Sequence, residues 1–216
     1  MMPDPAIYSL VAILFAVLVG AASPGPSFVL VSRIAVSESR MSGLAAAAGM
    51  GLGGTLFAAL ALLGLAALLQ QIEILHIALK VIGGVYLLYL GVEMWRQATM
   101  PLAVGEIDRR QSKSVWRSFW LGFGVQISNP KTAAVYASIF VALLPTSPPT
   151  WLLLALPLLI FLVETIWYCV VALILSSSQP RRAYLRCKAL IDRVAGIVLG
   201  SLGLRLIFDG AGVARA

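Results

Sequence analysis

Three charged residues stand inside long apolar runs, where a charge needs a reason. Lys80 lies about nine residues into one run, Lys131 near the middle of another, and Glu164 at the centre of a third. Nine helical residues rise about 13 Å at 1.5 Å each. At that depth an ionisable side chain costs at least about 2.5–3.5 kcal/mol, so it normally faces a bundle interior or a wet cavity and marks a path for ions or solutes. Such residues can bind a charged group or carry a proton. Two other readings stay open: Lys80 can snorkel to a surface, and Glu164 can pair with a lysine and do nothing more.

Other chemistries find little support. His76 shares a helix face with Lys80 at the i, i+4 spacing, where it can relay protons or pack at an interface. It is the one histidine, and the two cysteines, Cys169 in an apolar run and Cys187 in a basic stretch, form no CxxC pair. No metal site or disulfide framework is expected. Residues Gly49 to Gly54 spell GxGxxG, but within a helical apolar run with no preceding strand. Close helix packing through Gly49 and Gly53, repeated by Gly196 and Gly200, explains them better than a nucleotide. With no GxxxxGK[ST], HExxH or GxSxG motif, neither an enzyme nor a cofactor is expected.

The elements that must position these residues are membrane helices. The chain has 216 residues, 60% hydrophobic and 12% charged, against about 25% charged in an average soluble domain. One span needs about 20 apolar residues, and the runs place six helices, at about 6–31, 43–69, 72–95, 117–144, 151–175 and 191–209. The fold class expected is an all-α integral membrane protein. Ala21-Ala22-Ser23 resembles a signal cleavage site, yet Met1 to Pro5 carries no Lys or Arg. The first run is therefore read as a membrane helix and not as a signal peptide.

A formal charge of +7 would point to nucleic acid in a soluble protein, but the distribution of the charge decides otherwise. Of 16 cations, 12 fall in loops one, three and five: Arg33 and Arg40; Arg96, Arg109, Arg110, Lys113 and Arg117; Arg181, Arg182, Arg186, Lys188 and Arg193. The second and fourth loops carry none. Cytoplasmic loops are the ones rich in Lys and Arg, so both termini are expected outside. These basic loops are read as topology determinants, with an anionic-lipid surface of the bilayer as the second reading, and no nucleic acid is expected as a partner.

Ser23-Pro24-Gly25-Pro26 interrupts the first run and Ser128-Asn129-Pro130-Lys131 the fourth, 105 residues on. Proline removes a backbone hydrogen bond and clashes with the preceding turn, so both helices are expected to be broken. The breaks lie three spans apart, an odd number. Two equivalent halves, 1–105 and 106–216, must then run in opposite directions, as in transporters built from inverted three-helix repeats with broken helices 1 and 4.

The sequence resembles the LysE superfamily of amino-acid exporters, in its threonine/homoserine-efflux branch. The residues that carry the likeness are Ser23 to Pro26, the Gly-rich second helix from Gly43-Leu44 to Gly64-Leu65, the run from Lys80 to Gly91, Phe119 to Phe123, and Asn129-Pro130-Lys131. It is strongest from about residue 20 to 145. The resemblance implies secondary-active efflux of an amino acid or related metabolite across a bacterial inner membrane, with the proton as coupling ion. Ser27 stands where many members carry Asn or Asp. Glu164-Thr165-Ile166-Trp167 stands where members commonly place Asp or another polar residue near a tryptophan.

The substrate site expected is Ser23, Pro24, Gly25, Pro26 and Ser27 with Ser128, Asn129, Pro130 and Lys131. A helix N-terminus after Pro26 would hold a carboxylate, and Lys131 would be a second anchor. Lys80 and Glu164 are the candidate coupling charges. A passive channel or facilitator is the alternative, and a membrane-embedded enzyme a more distant one. Small-residue faces also permit a homodimer.

Overall fold

The computed structural model describes residues 4–22, 25–69, 73–100 and 114–213. Among them every regular element is helical: α1 (Pro5–Ala22), α2 (Pro26–Ser37), α3 (Arg40–Leu69), α4 (Glu73–Gln97), α5 (Val115–Ile127), α6 (Pro130–Leu143), α7 (Thr150–Leu175) and α8 (Ser178–Val213). Five are long and apolar enough to cross a membrane, namely α1, α3, α4, α7 and α8. At 12, 13 and 14 residues, α2, α5 and α6 are shorter.

The first and fourth apolar runs are thus each two helices. The prolines do not kink a continuous helix; Pro26 and Pro130 occupy first positions of new ones, where a missing N–H costs nothing and φ is already helical. Gly25 before α2 and Asn129 before α6 are both extended. Ser23 and Pro24 lie outside the described residues, as do Arg109, Arg110, Lys113 and Arg215.

The sixth expected helix starts earlier than about 191. α8 begins at Ser178, so Arg181, Arg182, Arg186, Lys188 and Arg193 stand on a helix and not in a loop. Nothing between Arg181 and Arg193 breaks a helix, and Arg, Leu, Ala and Lys are strong formers. Lys188 turns inward: its Nζ donates to the carbonyls of Gln97 (3.0 Å) and Ala98 (3.3 Å) and pairs with Asp192 at 2.7 Å. A buried cation thereby caps the negative end of α4. Arg193 lies over the Trp95 ring, 5.6 Å from its centre.

Glycines set the helix contacts. On α4, Gly84 and Gly91 meet Gly203 and Gly196 of α8 in an antiparallel seam, where an added Cβ would come within 2.5–2.7 Å of the opposite carbonyl. On α3, Gly49 rests on the backbone of α5 at Phe119 and Phe123. The small-residue faces that would permit a dimer are thus used within the chain.

Of three apolar cores among the described residues, one lies between α4 and α8 around Leu87, Met94 and Leu199, and the other two are stacked along the bundle. One joins Ile13 and Val17 of α1, Ala58 of α3, Ile139 and Phe140 of α6 and Leu156 of α7; the other joins Phe28 and Val31 of α2, Ala47 and Met50 of α3 and Val171 of α7. α3 and α7 run antiparallel through both. Outward, Leu63, Leu154 and Phe208 are 70%, 74% and 71% exposed, an apolar exterior suited to lipid and not to water.

Candidate functional site

Between the two cores lies a layer of buried polar groups: Ser27, Gln126, Asn129 and Glu164 are each no more than 6% exposed. They form one chain of hydrogen bonds across four helices. The backbone N–H of Lys131 donates to Asn129 Oδ1 (3.0 Å), capping α6. Asn129 Nδ2 donates to Ser27 Oγ at 3.1 Å, and Ser27 Oγ donates to Gln126 Oε1 at 2.6 Å. Gln126 Nε2 then reaches both oxygens of Glu164, at 3.1 and 2.8 Å. Breaking α1–α2 and α5–α6 at these positions is what allows the N-terminal ends of α2 and α6 to meet.

The break in the first run is also satisfied from α7. Trp167 Nε1 donates to the carbonyl of Ala21 (3.1 Å), one of the last-turn carbonyls that a helix end leaves without a partner. Gly25 brings no side-chain cap to the start of α2.

A cavity of about 30 Å³ adjoins the chain. Its walls are Gly20, Ala21, Gly25, Ser27 and Phe28 on one side, with Asn129, Lys131, Thr132 and Tyr136 of the second break and Glu164 and Tyr168 of α7 on the other. That volume suits a water molecule or two. Arranged this way, the site gathers the Glu164 carboxyl, the Lys131 amine, a helix N-terminus and several hydroxyls around a space of that size.

Of the residues expected from the sequence, Gly25, Ser27, Asn129, Lys131 and Glu164 line this cavity. Ser23 and Pro24 are outside the described residues. Pro26, Ser128 and Pro130 are exposed and act on the backbone, by starting or ending a helix. Lys80 lies on α4 beside Gly210 of α8, away from the cavity-lining residues. His76 has its side chain outside the described set. Glu164 bonds to Gln126 through both carboxyl oxygens.

Gln126, Tyr136 and Tyr168 were not anticipated. The signal for Gln126 was an amide inside an apolar run just before a break; that for Tyr168 was its i+4 spacing from Glu164, which puts both on one face. The Tyr136 hydroxyl is buried without a hydrogen bond of good geometry, although Gly54 brings it and Glu164 to the same spot.

The family model for LysE type translocators matches residues 18–210. The chain belongs to the LysE type translocator family. This makes it a membrane transporter and not an enzyme. Among LysE relatives, the threonine efflux protein of Escherichia coli K12 is 34% identical over 200 residues, covering 89% of this chain and 94% of its own length. The threonine efflux protein of Salmonella typhi is 32% identical over 193 residues, with 89% and 94% covered. An uncharacterised E. coli K12 membrane protein, YahN, is 31% identical over 189 residues, with 87% and 84% covered. No solved structure matches the chain significantly.

Proposed function

We propose that this translocator exports amino acids in exchange for protons, through a six-span bundle of two inverted three-helix repeats. The single observation that carries the reading is the meeting of both helix breaks and Glu164 in one buried polar layer between two apolar cores. The efflux relatives supply the substrate class. α5 and α6, end to end, form the sixth span, and α1–α2 and α5–α6 are the matching discontinuous helices.

The substrate carboxylate lies at the uncapped start of α2 with Lys131 as its second anchor, because helix N-termini and cations both favour anions. Its ammonium faces Glu164 and the surrounding hydroxyls. Glu164 is also the proton carrier, and a carboxylate cannot serve a proton and an ammonium equally at once. Proton arrival from outside releases the substrate there; proton loss to the cytoplasm readies the site for the next. The cavity has no room for an amino acid as it stands, so the two halves must separate alternately toward each face.

In the bacterial inner membrane, the basic ends containing Arg33, Arg40, Arg96 and Arg117 face the cytoplasm and both termini face outward. Trp95 and Trp116, beside Arg96 and Arg117, fit the aromatic belt at that interface. Cysteine labelling at Ser112 and Thr146 tests the topology, since labelling of both from one side contradicts six spans.

Counterflow in proteoliposomes tests the transport reading, with a panel of labelled amino acids and with or without an imposed pH gradient. Specific exchange that the gradient turns into accumulation is expected. Flux that never accumulates would replace the exporter with a passive facilitator, and no flux for any amino acid would reject the substrate class.

A further inference from the structure

We propose that Gln126 is the positioning residue that passes the protonation state of Glu164 to the two helix breaks, a proposal that rests on Glu164 being the proton carrier. The polar chain has a direction. From the Lys131 N–H through Asn129, Ser27 and Gln126, each group donates toward Glu164.

That direction is the one an ionised carboxylate at its end requires. An ionised carboxylate only accepts hydrogen bonds, so it draws the amide nitrogen of Gln126 toward itself. The amide oxygen then faces Ser27, which must donate. The Ser27 oxygen is left to accept, and Asn129 supplies the donor.

A protonated carboxyl gains an O–H that needs an acceptor. Turning the Gln126 amide over provides one and presents its nitrogen to Ser27, which must stop donating to it. The Ser27 hydroxyl hydrogen then turns to another acceptor, and the Tyr168 hydroxyl lies beside it. Ser27 is the second residue of α2, and its partner Asn129 caps α6. A proton on α7 thereby changes the hydrogen bonding of Ser27, which stands at the start of α2 and holds Asn129 of the second break, without moving through either.

The surroundings leave Gln126 as the intermediary. Around Glu164, α6 brings Tyr136 and Lys131 to the cavity and α7 itself brings Tyr168, whereas α1, α2 and α5 add no titratable group to its wall. α3 contributes Gly54. Gln126 does not line the cavity, so it acts on the substrate through its neighbours. Fully buried at 1% exposure, it has no partner in water to replace the ones it holds.

The experiment compares wild-type protein with Gln126→Met, which keeps the side chain's bulk but makes no amide hydrogen bonds. Proteoliposomes are assayed with labelled threonine both for counterflow at equal pH and for accumulation driven by a pH gradient. The expected result is counterflow within about threefold of wild type, with accumulation relative to counterflow reduced about tenfold or more, the size of a typical coupling between sites. An unchanged ratio overturns the relay while leaving proton coupling in place. Absence of gradient-driven accumulation in the wild type overturns the underlying reading instead. Loss of counterflow in a folded Gln126→Met protein also rejects the relay, since it places Gln126 in binding. If that variant does not fold, Gln126→Leu removes the same amide: a reduced ratio supports the relay and a wild-type ratio overturns it.

Discussion

Gly54 of α3 lies directly against the carboxylate of Glu164 on α7, and a methyl group on Gly54 would overlap its Oε2. The buried acid therefore occupies the place where a side chain of the neighbouring helix would otherwise be. A glycine is needed at this position to make room for chemistry as well as to bring helices together.

Gly54→Ala is accordingly expected to displace the Glu164 carboxyl and loosen its bonds to Gln126. pH-driven efflux should fall about tenfold or more while the protein still folds. Transport assays beside thermal stability in detergent check this, and wild-type accumulation by the variant would contradict the packing argument.

In the proposed exchange mechanism, Glu164→Gln leaves an acceptor for the substrate but removes the exchangeable proton. Exchange at equal pH should persist with weaker affinity, and accumulation down a proton gradient should vanish. Retention of full gradient-driven accumulation would rule out Glu164 as the carrier.

In the proposed binding mode Lys131 contacts the substrate carboxylate, so Lys131→Ala removes a charge-assisted contact, a class of interaction of about 1.5–3 kcal/mol. The Michaelis constant for the amino acid should rise about tenfold or more. An unchanged constant and rate would remove the lysine from the binding site.

Lys188→Ala would leave the Asp192 carboxyl buried without its partner, with the carbonyls at the end of α4 uncapped. Breaking a buried pair in this way costs about 3–5 kcal/mol. Replacing both residues with Met and Leu should recover much of the loss, and a thermal-unfolding cycle over the single and double variants measures the coupling.

Much of this arrangement was legible in the sequence because a proline or a charge in hydrocarbon is conspicuous. Asn129, Lys131 and Glu164 stood out in apolar surroundings and do meet, as did the break itself. Gln126 did not, because an uncharged amide in an apolar run has many possible uses and only three-dimensional neighbours select one. Lys80 was as conspicuous as Lys131, yet it lies away from the cavity: depth along a helix says nothing about which way a side chain faces. The basic stretch before the last span was misplaced for a related reason. Positive charge marks the side of a membrane but not whether the chain there is coiled, and Lys188 was counted with its neighbours although it alone among the described ones is buried.

The glycine seam between α4 and α8 bears on how the protein is made. Translation produces α4 first and its partner only after α5, α6 and α7 have followed. Until then the stripe containing Gly84 and Gly91 lacks the glycines of α8 that it meets in the folded protein. The early half of the protein is therefore completed by the final helix, so biogenesis ends with the joining of two segments that the ribosome released far apart in time.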